Sequence, residues 1–69
     1  MNDYTPMRGD ILKKNGRVFK LLLVTKTRIV YQDHYLGENR GNFWCSRDEM
    51  IDEVERSQPK LERPAEVPE

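Results

Sequence analysis

The chain has a single cysteine, Cys45, among its 69 residues, so no intrachain disulfide can brace it and no cysteine-cluster zinc site can form. That excludes the disulfide-stapled secreted scaffold, a common solution for chains this short. Proline is missing between Pro6 and Pro59, which leaves regular structure uninterrupted over residues 7–58. Long apolar runs are missing too. The longest aliphatic stretch, Leu21-Leu22-Leu23-Val24, is far too short to span a bilayer. The first six residues hold no apolar segment resembling a signal peptide, so a soluble, cytoplasmic chain with no membrane partner is expected. Apolar residues make up only 36% of the chain, against about 45–50% in a typical globular protein with glycine counted. A chain near this size buries only about 60% of its unfolded surface, so one small domain of modest stability is expected.

Net charge is absent as well, with twelve basic and twelve acidic residues. The charges are nevertheless segregated. Residues 8–47 carry nine basic side chains and three acidic ones, a local net of +6, whereas residues 48–69 carry eight acids and three bases, a net of −5. A basic body followed by an acidic end implies two surfaces with different work.

The first half reads as β structure. Residues 10–14 form a short candidate strand. Asn15-Gly16 follows, the dipeptide best suited to the positive φ angles of a tight hairpin turn. Residues 17–24 are apolar on both faces, as in a strand curling through a small barrel so that each end turns a different face to the core. Thr25-Lys26-Thr27 makes a polar turn, and residues 28–32 (RIVYQ) are β-branched and aromatic. Residues 33–42, with Gly37 and Gly41, read as a loop of about ten residues, and residues 42–45 as a fourth short strand. Phe43 and Trp44 must point to opposite faces of it, one into the core and the other either exposed for recognition or, as the small core favours, packed beneath the helix.

Ser46 with Glu49 three residues on is a capping box, and Asp48 and Glu49 suit the positive end of a helix dipole. A helix over about 47–56 follows, with Met50, Ile51 and Val54 on one apolar stripe. The expected architecture is mainly β (α+β): a small SH3-like β-barrel of four to five short strands with one C-terminal helix. Residues 1–6 are expected to be flexible and residues 7–56 to form the domain. Residues 57–69, acidic and proline-containing with only Leu61 and Val67 as sizeable apolar groups, are expected to be disordered.

Two groups of residues offer binding chemistry. Lys13, Lys14, Arg17, Lys20, Lys26, Arg28 and Arg40 could contact phosphates, with Tyr31, Tyr35 or Trp44 stacking on bases. The plainer role of such residues is to keep turns and sheet edges soluble, and turns of adjacent hairpins lie at opposite ends of a meander. The second group is the expected loop over 32–42, with His34, Tyr35, Leu36, Asn39 and Arg40, together with Trp44, as a docking surface for a partner. Its plainer role is a hairpin connection that needs its glycines for turning. Cys45 reads as a small core residue. Asp48, Asp52 and Glu55 read as a solvated acidic face, and the acidic end as either a mimic of nucleic-acid charge or a solubilising extension.

Catalytic patterns are missing. No glycine-rich phosphate loop, HExxH or paired catalytic carboxylates occur, and His34 alone supports neither a metal site nor a triad. The core is expected to be too small for a typical substrate pocket of about 300 Å³ or more. No enzyme, cofactor or metal is expected.

The run RGDILKKNGRVFKLLLVTKTRIVYQDHYLGENRGNFWCSRDEMIDEV resembles a small stand-alone bacterial domain of unassigned role. That domain has a Gly-start strand, a Lys-Gly-type turn, a Val-rich strand, a Val-Tyr-Gln/Arg strand, a loop and Trp-x-Arg before a short helix. The matching positions are Gly9, Asn15-Gly16, Val30-Tyr31-Gln32, Trp44 and residues 50–54, over about two thirds of the chain. Cys45-Ser46-Arg47 departs from the tighter Trp-x-Arg spacing. The resemblance implies the SH3-like fold and no function; small accessory proteins of bacteriophages and mobile elements are similar in size.

The sequence therefore points to a non-enzymatic binding module. A protein-docking adaptor or inhibitor is favoured, because the acidic third would repel a nucleic acid unless held away. The alternative is a nucleic-acid-binding barrel whose acidic tail modulates binding. An exposed edge strand would also make a homodimer easy to form.

Overall fold

Turn chemistry lays out the fold. Asn15 and Gly16 adopt φ of 52° and 81°, the left-handed pair of a tight hairpin turn joining β1 (Ile11–Lys14) to β2 (Arg17–Val24). In the computed structural model, which describes residues 4–63, β3 (Arg28–Tyr35) and β4 (Glu38–Ser46) follow, then α1 (Arg47–Ser57) and β5 (Lys60–Glu62). All pairings are antiparallel, and the five strands form one sheet in the order β4-β3-β2-β1-β5.

The domain is thus mainly β with one helix, but its sheet does not close into a barrel. Closure would need the outer edge of β1 or its neighbour to meet β4. Instead β5 occupies that edge, is only three residues long, and leaves β4 open on the far side.

The ten-residue loop expected over 33–42 does not exist. Leu36 and Gly37 take φ of 52° and 88°, a second two-residue turn, so β3 runs on to Tyr35 and β4 starts at Glu38. A leucine rarely takes a left-handed conformation. Here its amide donates to the Gly16 carbonyl at 2.8 Å, and its side chain lies over Gly16 so closely that a Cβ there would sit 2.7 Å from Leu36 Cδ2. The two hairpin turns brace each other at one end of the sheet.

Strand alternation sorts the side chains into two faces. Leu12, Phe19, Leu21, Ile29, Tyr31 and Cys45 lie on the face beneath α1, where Leu12, Leu21 and Ile29 are buried together with Met50 of the helix. A bulge between Leu21 and Leu23 reverses the alternation of β2, so Val24 joins the core and Leu23 turns outward. The expected change of face along this strand is achieved by that bulge. Ser46 caps α1, with its hydroxyl accepting from the Glu49 amide at 3.0 Å and the Glu49 carboxylate accepting from the Ser46 amide at 3.2 Å. The helix ends on Gln58, at φ 50°.

Part of the segment expected to be disordered is ordered. Residues 60–62 pair with β1, and Arg63 reaches Asp10 through Nε at 2.8 Å and Nη2 at 3.0 Å. Asp10 is fully buried and also accepts from the Tyr4 hydroxyl at 2.8 Å and the Met7 amide at 3.1 Å. Burial by itself would raise this carboxyl's pKa; the bonds from Arg63, Tyr4 and Met7 outweigh it and hold the group below its ordinary value. Tyr4, and with it the N-terminal segment expected to be flexible, is tied in by the same cluster. The remaining parts of those two expectations, residues 1–3 and 64–69, lie outside the described residues.

Candidate functional site

The face of the sheet away from α1 has no covering element among the described residues. Alternation and register place three rows across it. At the end nearest the β2–β3 turn, Leu23, Val30 and Trp44 are cross-strand neighbours, with Arg28 beside them. The next row runs Glu62, Ile11, Lys20, Gln32 and Asn42, and the one beyond it Lys60, Lys13, Val18, His34 and Asn39. Leu22, at the bulge, adds a further exposed side chain.

Trp44 and Phe43 both stand in solvent, at 62% and 46% exposure, which corrects the expectation that one would be core and the favoured placement of the other beneath the helix; the alternative of an exposed aromatic describes Trp44. The reason is topological. The missing loop turned β4 into a full-length edge strand, so neither of its faces has a neighbour beyond it. Phe43 ends an aromatic file on the helix side, 6.1 Å from Tyr31, which meets Phe19 edge-on at 5.2 Å. Trp44 stands on the open side, with the Arg28 guanidinium 4.8 Å from its ring centroid.

The open face is basic. Among the described residues, Lys13, Lys20, Arg28 and Lys60 project from it against a single acid, Glu62, which pairs with Lys13 at 3.2 Å. Polar groups able to read a ligand sit between the cations: His34 Nε2 meets Gln32 Oε1 at 2.6 Å, and Asn39 Oδ1 accepts from the Gly41 amide at 2.8 Å.

The seven expected phosphate contacts therefore separate. Lys13, Lys20 and Arg28 share the open face. Lys14 and Arg17 lie on the helix side, where Lys14 Nζ donates to the Ser57 carbonyl and Arg17 leans over Phe19 at 5.5 Å and toward Asp33 at 3.7 Å. That last separation carries charge but is too long for a hydrogen bond, and Asp33 Oδ1 is buried without a partner. Lys26 occupies the β2–β3 turn, and Arg40 is the extra residue of a bulge in β4. The expected docking group separates too: His34, Asn39 and Trp44 belong to the open face, Tyr35 to the helix side, and Leu36 to the turn. Lys60 joins the face through its pairing with Lys13, from a segment whose composition signals disorder and so marks no site. Gln32 and Asn42 join the site only through a register that no local pattern encodes.

A cavity of about 290 Å³ lies between the β1–β2 hairpin and α1, close to the size that the small core was expected to preclude. Lys14, Arg17, Phe19, Tyr35, Glu53 and Pro59 are among its lining residues, with no histidine, thiol or carboxylate pair for acid–base work. Burial, with the Glu49 charge adding to it, pushes the Cys45 thiol up, away from nucleophilic character. Among the described residues no group of three or more His, Cys, Asp or Glu side chains could hold a metal ion. None of the described helices is long and apolar enough to cross a membrane.

No protein-family model matches the chain, and no curated protein and no solved structure is significantly similar to it.

Proposed function

We propose that the chain is a non-enzymatic module that binds single-stranded nucleic acid across the open face of its sheet. The observation that carries this reading is the company Trp44 keeps: an exposed ring on a sheet face that also bears Lys13, Lys20, Arg28 and Lys60 against one acid among the described residues. A sheet face of this kind offers a base a stacking surface and its backbone a set of cations, with Gln32, His34 and Asn42 near enough to address base edges. The acids of α1 lie on the other side of the sheet, which supports a polyanion as the ligand.

Trp44 is the only tryptophan, so its fluorescence reports directly on the site. Titrating the full chain with single-stranded DNA and RNA oligonucleotides should quench it and raise the anisotropy of the labelled strand. If three or four cations contact phosphates, log K should fall with log salt at a slope of about −2 to −3. Trp44→Ala should weaken binding roughly 5- to 100-fold, as expected for one lost stacking platform. No quenching at low salt for any oligonucleotide would refute the proposal. The full chain is required because residues 60–63 belong to the fold.

A second reading, docking of an acidic protein segment, is favoured by Leu23, 50% exposed in the row of Trp44 with Val30 between them, and by Leu22, 41% exposed at the adjoining bulge. It predicts that Leu23→Asp abolishes partner binding, whereas a nucleic-acid platform should lose only the affinity that one added negative charge removes.

A further inference from the structure

We infer that two copies of the chain associate through β4, edge to edge and antiparallel, so that their sheets continue into one. The two edges of the sheet are unlike. β5 is three residues long, follows Pro59 and carries Lys60 and Glu62, the short, charged form by which sheet edges avoid pairing. β4 is nine residues long. The bulge at Arg40 disturbs only its first half, and the stretch Asn42-Phe43-Trp44-Cys45-Ser46 has no charge, no proline and no bulge. Its two large aromatics project from opposite faces, so a flanking helix or loop could cover one of them at most, whereas an added strand shields both.

The occupant that fits is a second β4. A two-fold axis requires residues of like face to stand opposite each other. Centring it on Trp44 sets Phe43 of each copy across from Cys45 of the other, and Asn42 across from Ser46. Of the charges flanking the neutral stretch, Arg47 is drawn back onto its own chain, where its guanidinium donates to the Thr25 carbonyl at 3.2 Å, which leaves Arg40 of each copy to meet the second copy's Asp48, in the first turn of its helix, with opposite sign. Both Arg40 and Asp48 are exposed in the single chain, and neither forms an ion pair within it among the described residues. A five-residue edge buries little surface, so the dimer is a weak one, with a dissociation constant on the order of 10–100 μM. The pairing stands whether or not the open face binds nucleic acid. Where it does, the two Trp44 side chains become neighbours on a face of twice the width.

Sedimentation velocity of the full chain from about 5 μM to 1 mM, without nucleic acid, should show a concentration-dependent rise from monomer to dimer mass. Arg40→Glu and Asp48→Lys should each raise the dissociation constant at least about 10-fold, through like-charge contact at both ends of the interface. The double variant should return to within about 3-fold of the native chain, a recovery that general destabilisation cannot produce. Phe43→Cys, under mild oxidation, should yield a disulfide-linked dimer through Cys45 of the second copy, since cross-strand neighbours lie within disulfide reach. Asn42→Cys, on the other face, should not. A monomer at every concentration, or a double variant no better than the single ones, would overturn the inference.

Discussion

Removing the Arg63 side chain tests whether the C-terminal segment is part of the fold or merely lies on it. Arg63 gives the buried Asp10 carboxylate two charge-assisted hydrogen bonds, at 2.8 and 3.0 Å, and gives the Thr5 carbonyl a third at 3.3 Å. Breaking one side of a fully buried pair costs about 3–5 kcal/mol. Here Asp10 is fully buried, but the arginine side chain is 41% exposed, and Tyr4 and Met7 remain as partners, so solvent and the surviving bonds reduce the expected cost to about 2 kcal/mol. For a domain of this size that lowers the melting temperature by roughly 8–16 °C. Circular dichroism melts of the native chain, Arg63→Ala, Asp10→Asn and the double variant form a cycle, and its coupling energy should be at least about 1 kcal/mol.

The pH dependence supplies an independent reading. The folded carboxyl of Asp10 titrates below its unfolded value of about 3.9. Its contribution is therefore fully present above pH ~4 and is lost as pH falls through the folded value. The gap between native chain and Arg63→Ala should be constant near neutrality and should narrow in acid. A melting-temperature change below about 2 °C at pH 7, or additive single variants, would show that the ion pair contributes little and that β5 is held by its strand pairing alone.

Three further outcomes follow from the same geometry. Gly16→Ala should cost about 2 kcal/mol in urea unfolding, because the residue sits at φ 81° and an added Cβ would meet Leu36 at 2.7 Å. Ser46→Ala removes the cap hydrogen bond to the Glu49 amide and should cost about 1 kcal/mol, read as a lower urea midpoint at unchanged slope. Burial, then the hydrogen bond to Asp10, raises the Tyr4 phenol above its ordinary value, so its contribution is present below pH ~10 and lost as pH rises beyond that. Tyr4→Phe should be less stable at pH 7 and should show a flatter decline in alkali than the native chain.

The parts of the fold legible in the sequence are those encoded by neighbouring residues. Asn15-Gly16 announced its turn, residues 17–24 their strand, and Ser46 with Glu49 the start of the helix, because each signal depends on side chains acting on backbone within a few positions. The second hairpin was hidden by chemistry that runs against local preference. Leu36 takes a left-handed conformation that leucine disfavours, and it is held there by Gly16, twenty positions away in the chain. The order of residues 60–63 was equally invisible. A short segment with one leucine satisfies every compositional sign of disorder, and what fixes it is a buried carboxylate that its own sequence does not contain. The candidate site was legible in its ingredients, Lys13, Lys20, Arg28 and Trp44. Its assembly was not, since which cations share a face depends on register and on the two bulges.

The segregation of charge along the chain acquires its meaning only in three dimensions. Read linearly, an acidic end should repel whatever polyanion a basic body attracts, and that repulsion favoured a protein partner. The sheet separates the two. The helix carrying Asp48, Glu49, Asp52, Glu53 and Glu55 packs against one face of it, while Lys13, Lys20, Arg28 and Lys60 leave from the other. A helix is ~10 Å across, so carboxylates on its outer side stand more than a Debye length, ~8 Å in physiological salt, behind the open face. At that distance they do little to weaken a contact on the far side, yet they make the molecule electrically polar. A polyanion would then be turned toward the Trp44 face as it approaches, and the acids of the helix would orient its docking.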